Sequence, residues 1–102
     1  MDLSESKQWA VSPTRGLKVS EAIRIGAKIR PQCYGGMFVG FGSCALGAAM
    51  EGFECFGVDA DALIMEARVA FAQVIGIDIP TANDQYRWTR EEIAEVLERI
   101  GL

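Results

Sequence analysis

The sequence predicts a mainly α fold: a single small domain of about four helices with a glycine-rich loop or short hairpin, the alternative being a small α/β arrangement. Three observations carry this. Two segments, "VSEAIRIGAKIR" and "WTREEIAEVLERIGL", repeat apolar residues at helical spacing beside residues that cap helix ends. A third, residues 62–75, is apolar almost all round. Strand-forming residues gather only in "FVGF", where glycine interrupts them.

Taken in order, residues 1–16 read as a polar N-terminal arm, with Ser4, Ser6, Ser12, Pro13 and Gly16 as loop formers and Trp9 as its aromatic. The domain then spans 17–102. In its first helix Ser20 is the expected cap and Glu21 suits the positive start. Pro31 should stop it, since proline disfavours helical geometry in the residue before it. "PQCYGGMFVGFGS" is the glycine-rich loop or hairpin. "SCALGAAMEG" reads as a short helix with Ser43 as cap and Gly52 as terminator. From Asp61 a longer helix runs to Gly76, broken by few polar residues, and a helix so apolar is central in a fold or faces a partner. Residues 77–83 read as a turn region around Pro80. The last helix is the clearest, because Thr89 precedes Glu92 by three residues in the reciprocal capping pattern. Ile93, Val96, Leu97 and Ile100 then form one stripe, and Gly101 closes it.

Charge and composition exclude several kinds of chemistry. The chain has 102 residues, net charge −4 and no histidine. Without histidine there is no Ser-His-Asp or Cys-His catalysis within one chain, and the commonest zinc ligand is missing. Residues 1–30 carry six Lys/Arg against three acids, and residues 31–102 carry four against eleven. An acidic chain lacks the basic footprint of phosphate-backbone binding, so no nucleic-acid partner is expected. Apolar runs stop well short of the ~20 residues that span a membrane, so no membrane partner is expected either. No basic start followed by an apolar stretch opens the chain, which makes a cytoplasmic location the expectation.

Cys33, Cys44 and Cys55 stand eleven apart, without a CxxC pair, so neither a metal site nor a disulfide framework is expected. Cys44, near a helix start, is the one thiol whose place suits a lowered pKa, although cysteine among alanine and leucine is usually a small buried hydrophobe.

"GFGSCALGAAMEGFECFGVDAD" resembles, in its register, the glycine loop, helix and second strand of S-adenosylmethionine-dependent DNA amino-methyltransferases. The resemblance implies that Gly42 approaches a ligand and Asp59 takes ribose hydroxyls. The family's Asp/Asn-Pro-Pro-aromatic motif is missing, since "DIPT" lacks the second proline and the aromatic. A helix with flanking glycines is therefore the preferred reading. "VSEAIRIGAKIRPQ", "GSCALGAAMEG" and "NDQYRWTREEIAEVLE" together resemble a group of small uncharacterised bacterial proteins. That resemblance implies shared architecture only.

The expected function is a small non-catalytic binding or accessory module, with no cofactor, acting through protein contacts. Helix 62–75 is its expected surface for a homodimer or another protein. The alternative is a small-ligand or nucleotide site in the glycine-rich segment 35–47, using Gly40, Gly42, Ser43 and Cys44, with Asp59 beyond it.

Overall fold

The computed structural model describes residues 16–102. Among them are five helices, α1 (Val19–Ala27), α2 (Ala45–Glu54), α3 (Asp61–Ile75), α4 (Ile79–Asp84) and α5 (Arg90–Arg99). A two-stranded antiparallel hairpin, β1 (Phe38–Val39) and β2 (Gly42–Ser43), lies between α1 and α2. The mainly α class is as the sequence predicts. The expected arm lies, Gly16 apart, outside the described residues.

Small residues set the centre of the fold. A Cβ added at Gly26 would come within 2.6 Å of Ala48 Cα, and one at Gly52 within 2.7 Å of Ala22 Cα. The two helices therefore run antiparallel with backbones in contact, Ala22 and Gly26 facing Gly52 and Ala48. Gly52 is thus no terminator: it lies inside α2, buried, and the helix continues to Glu54. Around this pair one apolar cluster gathers Ile23, Phe53, Phe71, Ile79, Ile93 and Leu97, each fully enclosed. Arg24 of α1 adds ion pairs to Glu91 (2.9 Å) and Glu98 (2.8 Å) of α5.

Local chemistry sets most helix ends. Thr89 Oγ1 accepts from Glu92 N (3.0 Å) while Thr89 N donates to Glu92 Oε1 (2.8 Å), which is the expected capping box. At the far end Gly101 (φ +87) lets Leu102 N reach Leu97 O at 2.8 Å. Gly76 closes α3 with φ +94, as expected.

Besides the end of α2, three ends differ from expectation. α1 starts two residues earlier, with Lys18 at the cap position and its N–H donating to Glu21 Oε1 (2.9 Å), so Ser20 is buried inside the first turn. The same helix stops at Ala27, three residues short of Arg30. α2 is capped at Cys44, because Ser43 is held in β2. Residues 79–84 form a helix where a turn is expected: Asp78 caps it, accepting from Thr81 N at 2.9 Å. Pro80 fits there because first-turn N–H groups have no helical partner anyway.

In the hairpin Phe38 faces Ser43 and Val39 faces Gly42, leaving Gly40 and Phe41 as a two-residue turn. Gly40 has φ +61 and Phe41 does not share that sign, the pattern of a II′ turn. Phe41 projects from it, 87 % exposed. No helix among the described residues is long and apolar enough to cross a membrane.

Candidate functional site

Gly40, Gly42, Ser43 and Cys44 do come together, at the turn and second strand that lead into α2. Space there is already taken by the chain itself. A Cβ on Gly42 would stand 2.7 Å from Cys33 Cβ and 2.9 Å from Pro31 O, so this glycine admits a neighbouring strand rather than a ligand. The amide of Cys44 donates to Met37 O (2.9 Å), and that of Ala45 to Asn83 Oδ1 (3.2 Å). The first two N–H groups at the start of α2, those of Cys44 and Ala45, thus have partners of the protein's own.

Burial pushes the Cys44 thiol up from its ordinary value, outweighing the Gly47 and Leu46 amides that pull it down. Cys44 therefore stands at neutral pH as a protonated, buried thiol. Cys33 is buried beside the same strand, its sulfur 3.5 Å from Gly36 O, and Cys55 is exposed.

Asp59 does not join this group. It is exposed past the C-terminal end of α2, where its Oδ1 accepts from Asp61 N at 3.4 Å. The glycine segment precedes the opposite end of that ten-residue helix, which is about 15 Å long. Between α2 and α3 the chain turns without forming a strand.

What fills the junction is a polar network that the sequence did not reveal. Arg90 is 91 % buried yet has no carboxylate partner among the described residues. Its Nη1 donates to Arg30 O (2.8 Å) and Ser43 Oγ (3.0 Å), and its Nη2 to Ala27 O (3.4 Å). Ala27 O is a carbonyl left over at the end of α1 and Arg30 O lies three residues beyond it, so one guanidinium bonds the helix end to the segment that leaves it. Desolvation lowers the Arg90 pKa without removing its charge, since arginine titrates far above neutral pH. Beside it Gln32 Nε2 donates to Asn83 Oδ1 (2.9 Å) and Trp88 O (2.7 Å), and Asn83 Nδ2 donates to Cys33 O (3.0 Å).

Residues of all three quoted segments meet here: Gln32 from the first, Ser43 and Ala45 from the second, Asn83 and Arg90 from the third. The network is closed, the four polar side chains and the Ala45 amide being bonded within the fold. It holds loops in place and exposes no reactive group. Among the described residues no cluster of acid, cysteine or histidine side chains is arranged to hold a metal ion.

Among the described residues, large apolar side chains are exposed on the hairpin (Met37, Phe38, Val39 and Phe41) and on α3. Only Ala67 and Phe71 of its fifteen residues are buried, Phe71 edge-on to Trp88 with ring centres 5.7 Å apart. Ile64 and Ile75 pack partly against the same core. Met65 and Val69 on the opposite face, and Leu63 and Val74 beside that contact, are each 41–58 % exposed. Met65 and Val69 are neighbours on the helix, one turn apart. Compared with protein-family models, curated proteins and solved structures, the chain matches none.

Proposed function

We propose that the protein is a small cytoplasmic binding module without catalytic chemistry of its own, acting through protein contacts on the outer side of α3. The observation that supports this is the imbalance in that helix: two residues buried, four large apolar side chains in water. An aliphatic side chain stays in solvent at a cost of about 1.5–3 kcal/mol relative to full burial, so covering several of them is a driving force for association. The glycine-rich segment offers less, because the Cys44 and Ala45 amides are taken by Met37 and Asn83 and the space at Gly42 by Cys33 and Pro31.

The test compares tagged wild type with Val69→Glu in their retention of proteins from the native host. Loss of a specific co-purifying protein, or of the untagged copy of this chain, in the variant alone is the expected result. Identical profiles would reject the α3 surface. A thermal shift of several degrees on adding nucleotide or S-adenosylmethionine would instead favour the glycine segment.

A further inference from the structure

A cleft of about 480 Å³ lies between the α4–α5 loop and the side of α5 turned away from its buried residues. The loop supplies Tyr86, Arg87 and Trp88. The helix supplies Glu92, Glu95, Val96 and Arg99, at the spacing of one helical face. A volume of this size is in the range of small-molecule sites. Trp88 is a fixed wall of the cleft. Its N–H donates to Ala82 O (3.0 Å), its carbonyl accepts from Gln32 Nε2 (2.7 Å), and its ring stands edge-on to Phe71. We propose that the cleft binds an organic cation, a guanidinium or ammonium group on an apolar stem, between the aromatic side chains of Tyr86 and Trp88 and the carboxylates of Glu92 and Glu95. This site is separate from the α3 surface and does not depend on it.

The placement of charge selects a cation. Glu92 and Glu95 stand three residues apart, within one turn, and each keeps one oxygen free. Glu92 Oε1 accepts from Thr89 N (2.8 Å), and Glu95 Oε2 from Arg99 Nη2 (3.2 Å). Glu92 Oε2 and Glu95 Oε1 have no bond among the described residues. The two arginines stand at opposite ends of the cleft. Arg99 closes α5, seven residues or about 10 Å beyond Glu92, and is engaged by Glu95. Arg87 precedes the helix, its guanidinium drawn over the Tyr34 ring, 4.0 Å from the centre.

An anion would therefore meet one arginine at a time. A cation meets two carboxylates together, with aromatic rings beside them, which is the combination that holds guanidinium and ammonium groups. Val96, one turn from Glu92, gives the stem an apolar contact. The net charge of −4 favours the approach of such a ligand.

Equilibrium dialysis of the full chain against butylguanidinium reads binding directly. The chain has two tryptophans, so Trp9→Phe leaves Trp88 as the indole that reports where the ligand sits. Butylguanidinium should bind with a Kd of about 0.1–3 mM and change the Trp88 emission with the same midpoint, whereas pentanoate should do neither at about 10 mM. Glu92→Gln keeps the capping acceptor and removes the charge, and should weaken binding about fivefold, as should Glu95→Gln. Circular dichroism confirms that each variant keeps its helices. A blocked Ala-Arg-Ala peptide in the same assay separates the two sources of the cation. If the peptide binds more tightly than butylguanidinium, the ligand is an arginine side chain of a partner; if less tightly, it is a free small molecule. No binding of either cation at about 10 mM, or pentanoate bound as well as butylguanidinium, would overturn the site. Binding that Glu92→Gln and Glu95→Gln both leave intact would place the cation elsewhere and overturn it equally.

Discussion

Replacing Gly52 by alanine sets two known effects against each other, and the geometry decides the sign. Alanine is the better helix former by about 0.8–1 kcal/mol, so at an open position the change stabilises. Gly52 is not open. The new Cβ would lie 2.7 Å from Ala22 Cα where ordinary contact begins at 3.4 Å, and closer still to the Ala22 carbonyl oxygen. Because backbone is in the way, no side-chain rotation relieves the clash, and α1 and α2 must part by roughly 1 Å. A gap of that size forfeits a quarter to a half of the dispersion contact along the seam, which places the cost near the top of the ~1–3 kcal/mol range for overpacking. Net of helix propensity, Gly52→Ala should lose about 2 kcal/mol. In a domain of this size that lowers the Tm by about 8–16 °C. Urea unfolding followed by circular dichroism at 222 nm gives the free energy, and a thermal scan the Tm. Ala22→Gly should not rescue the variant, since removing a Cβ leaves the opposing backbone where it was. A Gly52→Ala protein as stable as wild type, or more so, would refute the backbone contact.

Arg90→Met keeps the length of the side chain but leaves Arg30 O, Ser43 Oγ and Ala27 O without their donor, and should cost about 3 kcal/mol by urea unfolding; a loss within error would mean that water replaces the guanidinium at no penalty. With Ellman's reagent the native protein should show one fast thiol, Cys55, while Cys33 and Cys44 react only on unfolding, and a second fast thiol quenched by nucleotide would reopen the glycine segment as a site. Asp78→Ala should cost about 1 kcal/mol at neutral pH through loss of the α4 cap. The Asp78 pKa is depressed by its bonds to Thr81, so this contribution is present above the ordinary aspartate value of 3.8 and fades as pH falls through the lower folded value. Wild type and variant should therefore converge in acid, and a gap that is constant with pH would show that the carboxylate is not the cap.

Helix ends written in adjacent residues were legible in the sequence, and those made by distant ones were not. Thr89 and Glu92 cap each other across three residues, and Gly76 and Gly101 adopt positive φ where the apolar pattern stops. Gly52 carries the same local signal as a terminator, but its role comes from Ala22, thirty residues away. Ser43 is a good cap by type, yet its hydroxyl is engaged by Arg90, which leaves the cap position to Cys44. Pro80 reads as a breaker unless the cap at Asp78 is recognised first. The apolar excess of 62–75 was visible. Which of its faces lies inward was not, because Phe71 is selected by Trp88 and the core rather than by any periodicity of its own. Of the candidate site, the clustering of Gly40 to Cys44 was legible from adjacency alone. The occupation of their amides by Asn83 and Met37 was not, since both contacts depend on how the chain folds back.

The Arg90–Gln32–Asn83 network also bears on the order in which the chain assembles. Its bonds between elements join residues 38 to 63 apart in sequence, whereas α1 and α2 meet across a loop of fewer than twenty residues. Loop-closure entropy favours the shorter connection first, and the guanidinium gains its acceptors only once α1, β2 and α5 are all in place. Contacts absent from the transition state govern how fast a protein comes apart rather than how fast it forms. The buried arginine therefore works as a brake on unfolding: its removal should steepen the loss of native protein with time while the refolding rate stays close to that of wild type.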